Sequence, residues 1–201
     1  ATERLLENQA EPPATMAYPA KDYPHDRLRY AWKLLLQNHP HDSICGCSVD
    51  EVHREMMTRF AKSQEVGRFV AQDALTTLAS KITTSDFAKA AKPFVVVNTT
   101  GFVKSGLTEV TVEWDRREFS EAGTIQEQRA ALEAELAQLP ALTVVNAQGE
   151  PVPFRMVKQA VEFHYDLPKD RFRVAYQAIE LTLALNVAAM PAFGWKALAL
   201  Q

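Results

Sequence analysis

The stretch Asn38-His39-Pro40-His41-Asp42-Ser43-Ile44-Cys45-Gly46-Cys47 packs two imidazoles, a carboxylate and two thiols between two helical patterns. So short a run cannot form a core of its own, and such a density of ligand-type side chains calls for a chemical reason. Two arrangements would supply one. The run could close a metal site by itself, or it could be one wall of a site whose other walls lie elsewhere.

Working outward, a helix begins at Asp26, with Leu28, Ala31, Trp32 and Leu35 on one face at spacings of three and four. Pro40 stops it, because proline has no N–H to give and disfavours helix in the residue before it. On the other side, Ser48 followed by Glu51 reads as a capping box, and Asp50 and Glu51 place negative charge at the positive end of the helix dipole. Val52, Met56, Phe60, Val66, Phe69, Val70, Leu75, Leu78 and Ile82 then trace one apolar stripe. A helix over residues 48–82 would be roughly 50 Å long. That is too long for the preceding helix alone to cover, so further helical partners are expected, and the uncovered stripe predicts a homo-oligomer or other self-association. Residues 10–26 hold four of the eleven prolines and read as an irregular linker.

Past Pro93 the period changes from helical to two. Phe94-Val95-Val96-Val97 runs into the turn cluster Asn98-Thr99-Thr100-Gly101, and Val110, Val112 and Trp114 alternate with polar residues. A helix over 125–139 interrupts, and further strands are expected around 142–146, 152–163, 172–185 and 194–200. Asn146-Ala147-Gln148-Gly149 is a hairpin turn. No βαβ alternation is present, so the sheet should be antiparallel. The fold class is therefore α+β in two parts: a helical hairpin or three-helix-bundle portion over 1–92, then an antiparallel β-sandwich portion with an inserted helix over 93–201.

The 201 residues are 47% hydrophobic and 23% charged, an ordinary globular balance. A net charge of -3 without a basic cluster excludes a nucleic-acid partner. Apolar runs such as 94–97 are too short for a membrane span. The two cysteines flank a single residue, Gly46; a disulfide there would be strained, so reduced thiols and a cytoplasmic setting are expected. A start at Ala1 without Met, and a last strand ending flush at Gln201, lead us to expect a piece of a longer protein.

His39, His41, Cys45, Cys47 and His53 carry enough nitrogen and sulfur for a tetrahedral zinc ion. Their crowding into one loop, without a second and distant pair, argues against a self-contained site. His53 lies one position off the apolar stripe and reads as a stripe-edge residue. Alternatively, His41 and Asp42 merely join two helices.

Taken as a whole, residues 32–52, Trp32-Lys33-Leu34-Leu35-Leu36-Gln37-Asn38-His39-Pro40-His41-Asp42-Ser43-Ile44-Cys45-Gly46-Cys47-Ser48-Val49-Asp50-Glu51-Val52, closely resemble glycoside hydrolase family 38, the α-mannosidases. Thr2-Glu3-Arg4-Leu5-Leu6, Phe94-Val95-Val96-Val97-Asn98-Thr99 and Met190-Pro191-Ala192-Phe193-Gly194-Trp195 resemble other family segments more loosely. The resemblance implies a zinc-dependent retaining enzyme, with His41 as one ligand of a single catalytic Zn2+ and Asp42 as a substrate-binding carboxylate. The family's upstream His-x-Asp motif has no counterpart here, since His39-Pro40-His41 has the spacing but the wrong third residue. No catalytic residue is assigned in this chain; nucleophile and acid/base are expected in a missing N-terminal catalytic domain. The partner is then a mannoside substrate in the full-length enzyme, and the isolated piece should be inactive, with weak or absent zinc binding. The alternative is a non-catalytic carbohydrate- or protein-binding β-sandwich module with a helical hairpin, for which Phe154, Phe163, Tyr165 and Phe172 are candidate stacking residues, although strand aromatics more often fill a core. A third reading is a small redox or metal-sensing protein using Cys45 and Cys47, but both stand where the family has small residues, which points to packing.

Overall fold

The computed structural model describes residues 1–119, 123–168 and 170–201. The chain divides into two compact units, one made of 1–83, 97–103 and 191–194, the other of 84–96, 104–190 and 195–201.

The first unit is built on α5, Asp50–Ser80, against which two helical segments pack. One is α3, His25–Leu36, burying Leu28, Ala31 and Leu35 as its spacing predicted. The other occupies part of the expected linker: α1, Thr2–Leu5, leads through a π-helical turn, Leu6–Ala10, into α2, Glu11–Ala17. Prolines are tolerated there because Pro12 and Pro13 fall in the first turn of α2, where backbone N–H groups have no helical acceptor in any case. The turn before them widens to suit, with Glu11 N donating to Leu6 O. The coil signal in the prolines thus gives way to tertiary packing, and irregular structure is confined to the stretch around the 3-10 turn Ala20–Asp22. This segment supplies the partner that the length of α5 demanded.

Close packing changes which residues line α5. Its buried positions are Met56, Ser63, Gly67, Val70, Ala74 and Leu78, while Val52 and Phe69 of the expected stripe are exposed. A Cβ on Gly67 would stand 2.9 Å from Leu6 Cδ2, so the absent side chain is what lets the two helical segments approach. Ser63 Oγ donates to Ala31 O at 2.9 Å, and Tyr18 Oη donates to Asp73 Oδ2 at 2.7 Å. Burial pushes the Tyr18 phenol above its ordinary range.

The second unit carries two sheets. In one, β1 (Lys92–Asn98), β7 (Gly194–Leu200), β3 (Val144–Asn146) and β4 (Pro151–Val152) lie in that order. In the other, β6 (Val174–Met190) is flanked antiparallel by β2 (Lys104–Glu118) and β5 (Phe154–Asp166). The α+β, two-part reading is borne out: helices first, then antiparallel sheets. β6 buries consecutive residues from Tyr176 to Ile179, where one-sided alternation would leave every second one wet. Val112, Val161, Ile179, Leu181, Leu183, Leu198 and Leu200 form the core. In the β3–β4 hairpin, Asn146 Oδ1 accepts from Gln148 N and Glu150 N, and Gly149 takes φ +77, as a turn of this kind requires.

The inserted helix α6, Ile125–Leu136, begins with a full capping box. Glu127 N donates to Thr124 Oγ1 at 3.2 Å and Thr124 N donates to Glu127 Oε2 at 2.7 Å. The bond from the Thr124 backbone holds the Glu127 carboxyl below the usual carboxylate range. Thr124→Ala should cost about 1 kcal/mol in chemical denaturation. Because the folded value is depressed, the carboxylate's contribution is present above its unfolded value and lost as pH falls through the folded one. Wild type and Glu127→Gln, which lacks the carboxylate, should therefore converge in stability as the buffer is acidified through that window. Among the described residues no helix is long and apolar enough to cross a membrane.

Candidate functional site

The 38–47 run forms a tightly hydrogen-bonded connection between α3 and α5. After Leu36 the chain tapers through Gln37 N to Lys33 O and Asn38 N to Leu35 O, both at 3.0 Å. Asn38 is fully buried; its Nδ2 donates to Met56 O at 2.9 Å, tying the end of α3 to α5, while Oδ1 finds no partner among the described residues. Pro40 then turns the chain out, and a one-turn helix, α4, spans His41–Ile44.

The end of α4 is a Schellman motif. Gly46 sits at φ +84, Gly46 N donates to Ser43 O at 3.2 Å, and Cys47 N donates to Asp42 O at 2.9 Å. Ser48 N also donates to Asp42 O, at 3.1 Å. That closure overturns the expected Ser48–Glu51 capping box: α5 starts one residue later, with Val49 as its N-cap and no side-chain cap bond.

The consequence is a presented pair. The side chains of His41 and Asp42 are 89% and 68% exposed, and His41 Nδ1 lies 3.2 Å from Asp42 Oδ1. The ring is steadied at one nitrogen by its own neighbour, and its other nitrogen faces away from that contact. His39 is exposed, and His53 is half-buried on α5, as a stripe-edge residue should be. His164, without chemical neighbours in the sequence, has Nε2 2.8 Å from Glu180 Oε1 across the sheet. Among the described residues no three His, Cys, Asp or Glu side chains cluster closely enough to hold a metal ion.

The packing expectation for the cysteines does not hold. Both are free and exposed, with their Sγ atoms 3.0 Å apart. The reason is the Schellman turn, which points Cys45 and Cys47 outward on either side of Gly46; a C′ glycine after a short helix is the sequence signal for it. The hydrogen bond to Cys45 raises the Cys47 thiol above its ordinary value.

Of the candidate stacking aromatics, Phe154 packs on the core, whereas Phe163, Tyr165 and Phe172 are 44%, 45% and 82% exposed. Phe163 and Tyr165 meet edge to face at 4.8 Å, and the Arg173 guanidinium lies 4.5 Å over the Tyr165 ring.

A helical pair that ends in an outward His-Asp dyad, followed by antiparallel sheets, has close counterparts among known proteins. Residues 1–78 match the family model "Alpha mannosidase middle domain", and residues 89–201 match "Glycosyl hydrolases family 38 C-terminal domain 1". An alpha-mannosidase crystal structure from Enterococcus faecalis V583 superimposes with a TM-score of 0.88 at 49% identity, over 99% of this chain and 22% of that one. A protein in glycosyl hydrolase family 38 from Enterococcus faecalis gives 0.85 at 47% identity, over 99% and 23%. A Halalkalibacterium halodurans protein named "Putative mannosylglycerate hydrolase" is 34% identical over 183 residues, 90% of this chain and 20% of its own length. The chain thus carries domains of the glycosyl hydrolase class. It belongs to glycosyl hydrolase family 38, and it spans about a fifth of the length of the relatives it matches.

Proposed function

We propose that this chain is part of a zinc-dependent retaining α-mannosidase, to which it contributes His41 as one zinc ligand, Asp42 as a substrate-binding carboxylate, and a structural platform. The observation that carries the reading is the exposed, mutually oriented His41–Asp42 pair held on a rigid helical connection in a family 38 chain. The donor set fits a shared metal. A single imidazole, backed at Nδ1 by a carboxylate, suits one coordination position and no more, so the remaining ligands come from the missing N-terminal catalytic domain. Zinc bound there would act as a Lewis acid toward vicinal hydroxyls of a mannoside. The work of this chain is to hold the imidazole still and to offer the second Asp42 oxygen to a sugar hydroxyl. Retention further needs two carboxyl groups roughly 5 Å apart, which the pair here does not provide. The protein is assigned to the cytoplasm and is a candidate homo-oligomer.

The non-catalytic binding-module alternative draws on the exposed aromatics, but Arg173 already covers the Tyr165 face on which a sugar would stack. In the test, the full-length protein is assayed on an aryl α-mannoside and on a small mannoside such as mannosylglycerate. Turnover should vanish on chelation and return with added zinc, and the isolated chain should show none above its His41→Ala variant. Chelator-insensitive turnover would remove zinc from the reading; binding of mannosides without turnover by the full-length protein would favour the module.

A further inference from the structure

We propose that Cys45 and Cys47 are a covalent-modification site, a dithiol that closes reversibly to a disulfide across Gly46, with a low-molecular-weight disulfide of the glutathione class as oxidant. The glycosidase reading does not absorb this pair and the proposal does not depend on it. Three features carry it. The sulfur atoms are 3.0 Å apart, so closure needs little backbone movement. Both residues are exposed, so a small oxidant can reach them. The approach is also imposed by the fold, because the left-handed Gly46 reverses the chain between them and is locked by Gly46 N to Ser43 O and Cys47 N to Asp42 O. A metal is the competing use of two thiols, and no third ligand-type side chain stands with them among the described residues.

The chemistry balances. One cysteine thiolate attacks the oxidised disulfide, forming a mixed disulfide and releasing one small thiolate. The second cysteine thiolate then attacks the protein sulfur of that mixed disulfide, forming the Cys45–Cys47 bond and releasing the other. The protein gives up two electrons, its two thiol protons pass to the released thiolates, and the oxidant leaves as two thiols. A ring closed over a single residue is strained, which makes the bond easily reduced and suits reversible modification more than a permanent staple.

The test uses the full-length protein carrying this chain, treated with oxidised glutathione under native conditions and mapped by peptide mass spectrometry. The expected peptide has lost two hydrogens through a Cys45–Cys47 bond, and dithiothreitol restores both thiols to alkylation. Cys45→Ser should instead stop at a glutathione adduct on Cys47. Stable glutathione adducts on both wild-type cysteines, or thiols that remain free throughout, would overturn the proposal. Since the wild-type map alone decides, misfolding of the variant leaves the test intact, and the result is read independently of mannoside turnover.

Discussion

Replacing His41 with alanine in the full-length enzyme is expected to lower kcat/KM by about a hundredfold or more and to reduce bound zinc, with the fold left intact. The magnitude follows from comparison: losing only an outer partner of a metal ligand costs about 10–100-fold, and losing the ligand itself should exceed that. The stability half rests on exposure. His41 has a side chain 89% open in this chain and one steady contact, to Asp42, so its removal should change the unfolding free energy of the zinc-free protein by no more than about 0.5 kcal/mol. Metal content by elemental analysis, steady-state kinetics and thermal unfolding on one preparation separate the two effects. Asp42→Asn is the informative companion, because it keeps the shape and removes the charge: zinc should be largely retained while mannoside turnover falls. A His41→Ala enzyme that keeps wild-type zinc and wild-type kcat/KM would end the assignment.

Much of this arrangement is written in the chain, and the failures have identifiable causes. The face of α3 was legible because Leu28, Ala31 and Leu35 are large and regularly spaced, and Pro40 stops a helix whatever surrounds it. The face of α5 was only half legible. Large apolar residues dominate a periodicity reading, yet the buried line runs through Ser63, Gly67 and Ala74: Gly67 lets Leu6 approach, Ser63 Oγ reaches Ala31 O, and Ala74 packs with Ala10, Ala14 and Ala17. Capping boxes show the same dependence on context. Ser48–Glu51 has the right letters but fails because Ser48 N is committed to Asp42 O, while Thr124–Glu127 has the same letters and forms. Prolines at 12 and 13 signalled coil because a π-helical turn upstream cannot be seen locally. His41 and Asp42 stood out through family resemblance, since one histidine beside one aspartate has no chemistry by itself and the rest of the proposed coordination sphere is not encoded in these residues.

Leu132→Ala is the second change with a large expected effect, and it acts on the β portion. α6 is amphipathic in a minimal way: Gln128 and Leu132 are its buried positions, and Leu136 adds a partly buried contact. Leu132 is 0% exposed and shares the cluster of Val161, Ile179 and Leu181, so almost all of the helix's apolar attachment passes through one side chain. Truncating a fully buried leucine costs about 2–5 kcal/mol, from lost transfer energy plus the cavity left behind. The upper part of that range is expected here, because Gln128 Nε2 to Glu118 O and Gln177 Nε2 to Ile125 O, each 3.2 Å, hold the helix in place and limit collapse into the void. Leu132→Met conserves volume and should cost less than about 1.5 kcal/mol. Urea denaturation of both variants reads the difference directly. A Leu132→Ala penalty no larger than that of Leu132→Met would mean that the two glutamine bonds and the Thr124 cap, not the buried leucine, fasten α6 to the sheet.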